Sequence, residues 1–302
     1  MKSSSFLLVN LAAVANGLPN GIGTKTGGLF NYTIDGVDYP GHYPWLPEEG
    51  QESIQRRWYA DPLNRADHPY LACNRGNPLA TKNPTLHATV KPGSWIVPSY
   101  RAPPCPASPP VPYPTKPSVP GYEDQNPPSP CNEYPWSVSL GPMIVYMADC
   151  QGPCDQWDGH GKRWFKIWEA GFKPEGWEWS YNPGEKRDLA NGDRWWQDHV
   201  LRSSRGTWNV TVPNLKPGHY MIRHEAIDLE ISLQIYPHCA QLEVVGDGDA
   251  YPSEDYLVEF PGAYDRNDEG LWMAGELYAD QIGHRLFNYT IPGPKLWDPS
   301  KA

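Results

Sequence analysis

Three consecutive stretches decide the fold class: Gly206-Thr207-Trp208-Asn209-Val210-Thr211-Val212, the turn-forming Asn214-Leu215-Lys216-Pro217-Gly218, and His219-Tyr220-Met221-Ile222-Arg223-His224-Glu225-Ala226-Ile227. The outer two are rich in β-branched and aromatic residues, which suit a pleated surface. Pro-Gly between them sets φ and then allows the reversal. Working outward, Leu233–Tyr236 and Gln241–Val245 continue the series. Leu86–Val90, Ser137–Tyr146 and Trp164–Trp168 precede it, each with period-2 alternation. No stretch longer than about 12 residues carries a clean helical stripe. These features predict an all-β, mostly antiparallel sandwich with long loops.

Composition agrees. The 35 Pro and 28 Gly among 302 residues are incompatible with a helical bundle. The 14 Trp and 18 Tyr against 6 Phe favour rings with a polar handle, suited to cores, interfaces and sugar faces alike. A formal charge of −10 argues against nucleic acid and against an anionic membrane surface.

Met1-Lys2, the apolar run Phe6–Val14 and the Ala13-Val14-Ala15 signature read as a secretory signal peptide over 1–15, cut before Asn16. Export is supported by six Cys (Cys73, Cys105, Cys131, Cys150, Cys154 and Cys239). Three glycosylation sequons, at Asn31, Asn209 and Asn288, point the same way. Residues 16–26 form an N-terminal segment and 27–302 one domain. Within it, 14 of the 38 residues from Pro98 to Pro135 are Pro, a density that excludes ladder pairing. A disulfide between Cys105 and Cys131 would tie this stretch as a surface insertion, which is preferred to a linker.

Several segments together resemble the fungal lytic polysaccharide monooxygenases of auxiliary activity family 9. They are Ile34–Gly41, Leu71–Asn74, Gly141–Cys150, Trp164–Ile167, Arg223-His224-Glu225, Gln234–Leu242, Phe260–Tyr264 and Ile291–Pro294. The resemblance implies an immunoglobulin-like sandwich with a flat face for cellulose or a related glucan. It also implies disulfides Cys73–Cys239 and Cys150–Cys154, with Cys105–Cys131 left as the extra pair. The expected partner is cell-wall polysaccharide, the chain being a secreted monomer.

The family holds copper between the N-terminal His, which binds through amine and ring, and a second His in His-x-Gly-Pro, with an axial Tyr. Copper favours such nitrogen donors. This sequence has no His between Met1 and Gly41 and none between residues 88 and 159. Spacing places Thr26 and Ser139 where the two histidines are expected, and Glu230 where an outer His usually stands. The axial Tyr is kept as Tyr236 and its neighbour as Gln234. The expectation is a degenerate site with no metal and no oxidative activity. The alternative is an active copper-dependent monooxygenase whose mature N-terminus differs from the one read here. A third class is a wall protein that binds a protein partner through the Pro-rich insertion.

Other residues are candidates for chemistry. His219, His224 and His238 could form a relocated metal site, against a reading of His224 as a sheet residue with a satisfied hydrogen bond. Asp228 and Glu230 share a strand face as a glycosidase pair would, against a solvated strand face. Trp177, Trp179 and the Asp193–Asp198 cluster either stack sugars or fill the core. Tyr264 and Tyr278 are candidates to flank the sugar-binding face, against core packing.

Overall fold

A computed structural model describes residues 27–44, 46, 50–59, 62–74, 82–104, 136, 141–172, 208–229, 232–272 and 289–301. Among the described residues nine strands form two sheets. They are β1 (Asn31–Ile34), β2 (Val37–Pro40), β3 (Ala88–Val90), β4 (Trp95–Ser99), β5 (Met143–Asp149), β6 (Trp164–Ala170), β7 (Val210–Thr211), β8 (Gly218–Asp228) and β9 (Gln234–Val244). The smaller sheet has the order β2-β1-β4-β7, the larger β3-β9-β8-β5-β6. All pairings are antiparallel except β3 with β9.

The sheets meet through alternate side chains. Tyr32, Ile34, Ile96, Val210 and Val212 from the smaller sheet meet Met143, Val145, Ile222, Ala226, Tyr236 and Leu242 from the larger. The opposite face of the larger sheet is not solvated. Leu63, Leu71, Phe260, Tyr264 and Leu271 from loops cover it and pack on Ile144, Tyr146, Met221, Ile227 and Ile235. Both faces of β8 and β9 are therefore buried.

Arg223 and Glu225 point into this second core, joined to each other. Arg223 also donates to the carbonyls of Ala72 at 2.9 Å and Leu71 at 3.0 Å. Burial works against the guanidinium charge and Glu225 outweighs it, so Arg223 holds its proton more firmly than usual. The Cys73–Cys239 and Cys150–Cys154 disulfides are both present. Cys105 and Cys131 lie outside the described residues.

Two expectations are corrected. Leu233–Tyr236 and Gln241–Val245 are not separate strands but parts of the single β9, which runs through Pro237. On its outer side β9 meets β3 only from Leu242 to Val244, and otherwise isolated bridges from Leu63 and Gln55 at Ile235 and Ala240. A missing N–H at Pro237 therefore interrupts no continuous ladder. The Pro-rich stretch, expected from Pro98, begins later, because Pro98 and Ser99 belong to β4. β7 pairs only with Trp95 and Ile96, which leaves Pro98 unpaired on that side.

Candidate functional site

The site is organised by the β8–β9 ribbon. Its register sets His224 opposite His238, Ala226 opposite Tyr236 and Asp228 opposite Gln234. The even-numbered residues of both strands face into the sandwich. Two glycines bring other segments onto this ribbon. A Cβ on Gly28 would lie 2.6 Å from His238 Nε2 and from the Trp58 ring. A Cβ on Gly141 would lie 1.7 Å from the Ile227 carbonyl oxygen. Only glycine permits either approach. Gly28 and Gly141, two residues after Thr26 and Ser139 in sequence, thus pack on the ribbon, one at His238 and the other at Ile227. Thr26, Ser139, Glu230 and Tyr278 themselves lie outside the described residues, as do Trp177, Trp179, the Asp193–Asp198 cluster and Asn288.

Tyr236 is 1% exposed. Its hydroxyl donates to Gln234 Oε1. The Trp136 ring stands edge-on to it at 5.2 Å, and Tyr100 meets Trp136 at 4.9 Å. Tyr100 and Trp58 then enclose the His238 ring at 5.7 and 5.2 Å. Trp58 and Tyr100 were not foreseen as neighbours of Tyr236, since they arrive on loops distant in sequence and carry no local signal. Burial lowers the pKa of His238 to about 3, opposed by a hydrogen bond to the Tyr236 backbone and aided by Arg223.

Of the three candidate histidines, His224 and His238 are cross-strand partners, and His219 lies apart from them toward the start of β8. His219 meets His87 at 4.9 Å, while His224 lies between Tyr32 and Trp208 at 5.4 and 5.5 Å. Neither nitrogen of His224 has a hydrogen-bond partner among the described residues, which corrects the satisfied-bond expectation. Burial, then His238, lowers its pKa to about 3. Asp228 is buried, so the expectation of a solvated strand face is also corrected. Tyr264 is interior, as the core-packing reading expects. It is 5% exposed, its hydroxyl donates to Glu225 Oε1, and it stands 3.0 Å from the Tyr146 hydroxyl.

At the two positions where family spacing expects the copper histidines the sequence has Thr26 and Ser139. Near Tyr236 the described residues offer the Gln234 amide, the buried Asp228 carboxylate, the His224 and His238 imidazoles and aromatic rings. Among the described residues no group of three or more His, Cys, Asp or Glu could hold a metal ion.

Comparison with known proteins settles the family. The sequence profile of Auxiliary Activity family 9 (formerly GH61) matches residues 27–282. This chain belongs to Auxiliary Activity family 9. Lytic polysaccharide monooxygenase B of Heterobasidion irregulare is 30% identical over 296 residues, 97% of this chain and 99% of that one. A family 9 lytic polysaccharide monooxygenase-like protein of Agaricus bisporus is 32% identical, across 90% of this chain and 70% of its own. The crystal structure of a cellulose-active polysaccharide monooxygenase from M. thermophila superposes with a TM-score of 0.65 at 29% identity, covering 90% of this chain and 98% of that one. Family 9 monooxygenases are copper-dependent, which makes the donor set here the decisive chemistry.

Proposed function

We propose that this family 9 chain is a secreted protein that associates with cellulose or a related cell-wall glucan through the family scaffold, and that its copper centre is degenerate. The observation that supports the reading is the packing of Gly28 and Gly141 on the ribbon that carries Tyr236. Gly28 and Gly141 pack on the β8–β9 ribbon, and each stands two residues after a position where family spacing expects a histidine and the sequence has Thr26 or Ser139. A hydroxyl is a poor copper ligand beside the imidazole it replaces. The Tyr236 hydroxyl is itself committed to Gln234. A processed N-terminus would add one amine, which titrates near neutrality and is no substitute for two rings. The scaffold that supports the glucan reading is intact: the sandwich, both family disulfides and the loop-covered second core. The secretion reading rests on the leader-like residues 1–15 and on the disulfides, which form in oxidising compartments.

Titration calorimetry of cupric ion into the mature protein tests the copper reading, with electron paramagnetic resonance on the same sample. The expected result is weak, non-stoichiometric uptake and no axial nitrogen-ligated signal. Stoichiometric nanomolar binding would instead establish the active monooxygenase. Co-sedimentation with cellulose and other wall glucans tests the second part; failure to sediment with any of them would shift the reading toward a protein partner.

A further inference from the structure

The outer face of the smaller sheet carries an exposed ring beside a sequon. Trp95 on β4 is 39% exposed and enters no ring contact among the described residues. Its backbone is held firmly. Asp35, at the tight Asp35-Gly36 turn between β1 and β2, accepts from the Trp95 N–H at 3.0 Å and from Ser94 Oγ at 2.6 Å. β7 runs antiparallel to β4 with Thr211 opposite Trp95 and Val210 opposite Ile96. One further step of that register sets Asn209 beside Val97 and diagonal to Trp95. Asn209 and Thr211, first and third residues of the Asn209-Val210-Thr211 sequon, are both exposed, while Val210 between them is buried. Strand alternation therefore turns Asn209, Thr211, Trp95 and Val97 to one solvent face. A diagonal cross-strand neighbour lies about 7–8 Å away, within reach of an aromatic side chain.

We infer that Asn209 carries an N-linked glycan whose first sugar lies over the Trp95 indole, covering the exposed ring on the outer face of this sheet. The inference rests on the secretion reading. Transfer uses a lipid-linked oligosaccharide diphosphate. The bond from Asn209 Nδ2 to the sugar C1 forms as the C1–O bond to the diphosphate breaks, and the amide loses one proton. The apolar face of the pyranose then shields a ring the fold leaves bare. Asn31 is an internal control. It shares the face but is half-buried, its amide nitrogen reaches Thr33 Oγ1 and Asp38 Oδ1 at 3.4 Å each, and its cross-strand neighbours are Ser99 and Pro40.

The test is secretion of the full chain from a glycosylating fungal host, with glycopeptide mass mapping of the product. Asn209 is expected to be occupied, and Thr211→Ala to abolish that occupancy. Trimming the glycan to its first sugar should leave Tm unchanged, whereas Asn209→Gln should lower it by about 2 °C. That drop should vanish in a Trp95→Ala background and persist with Trp95→Tyr, which keeps a stacking ring. A bare Asn209 on secreted protein overturns the inference, and an undiminished drop with Trp95→Ala overturns the stacking. Retention of the chain inside the cell is a failure of the secretion reading. A parallel sample driven by a foreign leader then decides occupancy of Asn209 separately.

Discussion

His224 and His238 face each other across β8 and β9 inside the sandwich, both neutral. Their folded pKa values, about 3, fall below the ordinary 6.5. The unfolded chain therefore binds more protons between those limits. The stability that these rings lend is complete above about pH 6.5 and is lost as pH falls toward 3, at roughly 1.4 kcal/mol per pH unit for each ring. Urea midpoints should drop between pH 7 and pH 4.5. His224→Leu with His238→Leu should flatten that slope, whatever the change in absolute stability; an unchanged slope would assign the acid sensitivity to other groups.

The Arg223–Glu225 pair is buried on the opposite face of the same strand. Glu225→Gln leaves the guanidinium charge without its counter-ion in a dry environment, a loss of roughly 3–5 kcal/mol. It also removes the ionised acceptor of the Tyr264 hydroxyl. Denaturant unfolding should show the destabilisation, and a near-neutral result would mean that water reaches this second core.

The β8 strand and the sandwich class are legible because alternation and a Pro-Gly turn are local signals. Burial on both faces is not, since it depends on loops such as Leu63–Leu71 and Phe260–Leu271 folding back over the larger sheet. That is why Asp228 reads as solvated and Tyr264 stays open between sugar face and core, when both are interior. The β1–β2 hairpin had a usable signal in Asp35-Gly36, whose positive φ values of 48° and 85° suit a two-residue turn. It passes unnoticed when Ile34–Gly41 is read only as a family segment. At the site, Tyr236 and Gln234 are recognisable from family spacing. Their enclosure by Trp136, Tyr100 and Trp58 is a product of tertiary packing alone.

Cys73 and Cys239 close a sequence separation of 166 residues and tie the 54–74 loop region to β9. Loop-closure entropy for such a long loop is worth about 5 kcal/mol. The double Cys73→Ala, Cys239→Ala variant should lose roughly 2–5 kcal/mol against denaturant. Limited proteolysis should then cut first between residues 54 and 74. Cleavage elsewhere, with that loop protected, would show that the Arg223 contacts to Leu71 and Ala72 suffice to hold it.

Tyr236→Phe separates the structural and metal roles of this residue most directly. The phenol donates to Gln234 in a buried setting, so its loss should cost about 1 kcal/mol, the net worth of a typical hydrogen bond. Because the ring and its edge contact with Trp136 remain, the core should repack little. If the copper centre is degenerate, the substitution leaves the weak cupric binding of the parent protein unaltered. In a working centre the same change would remove an axial oxygen and shift the paramagnetic resonance parameters. Calorimetry and resonance on parent and variant therefore give opposite outcomes for the two readings. The denaturation shift, expected under both, confirms that the Tyr236–Gln234 bond was removed.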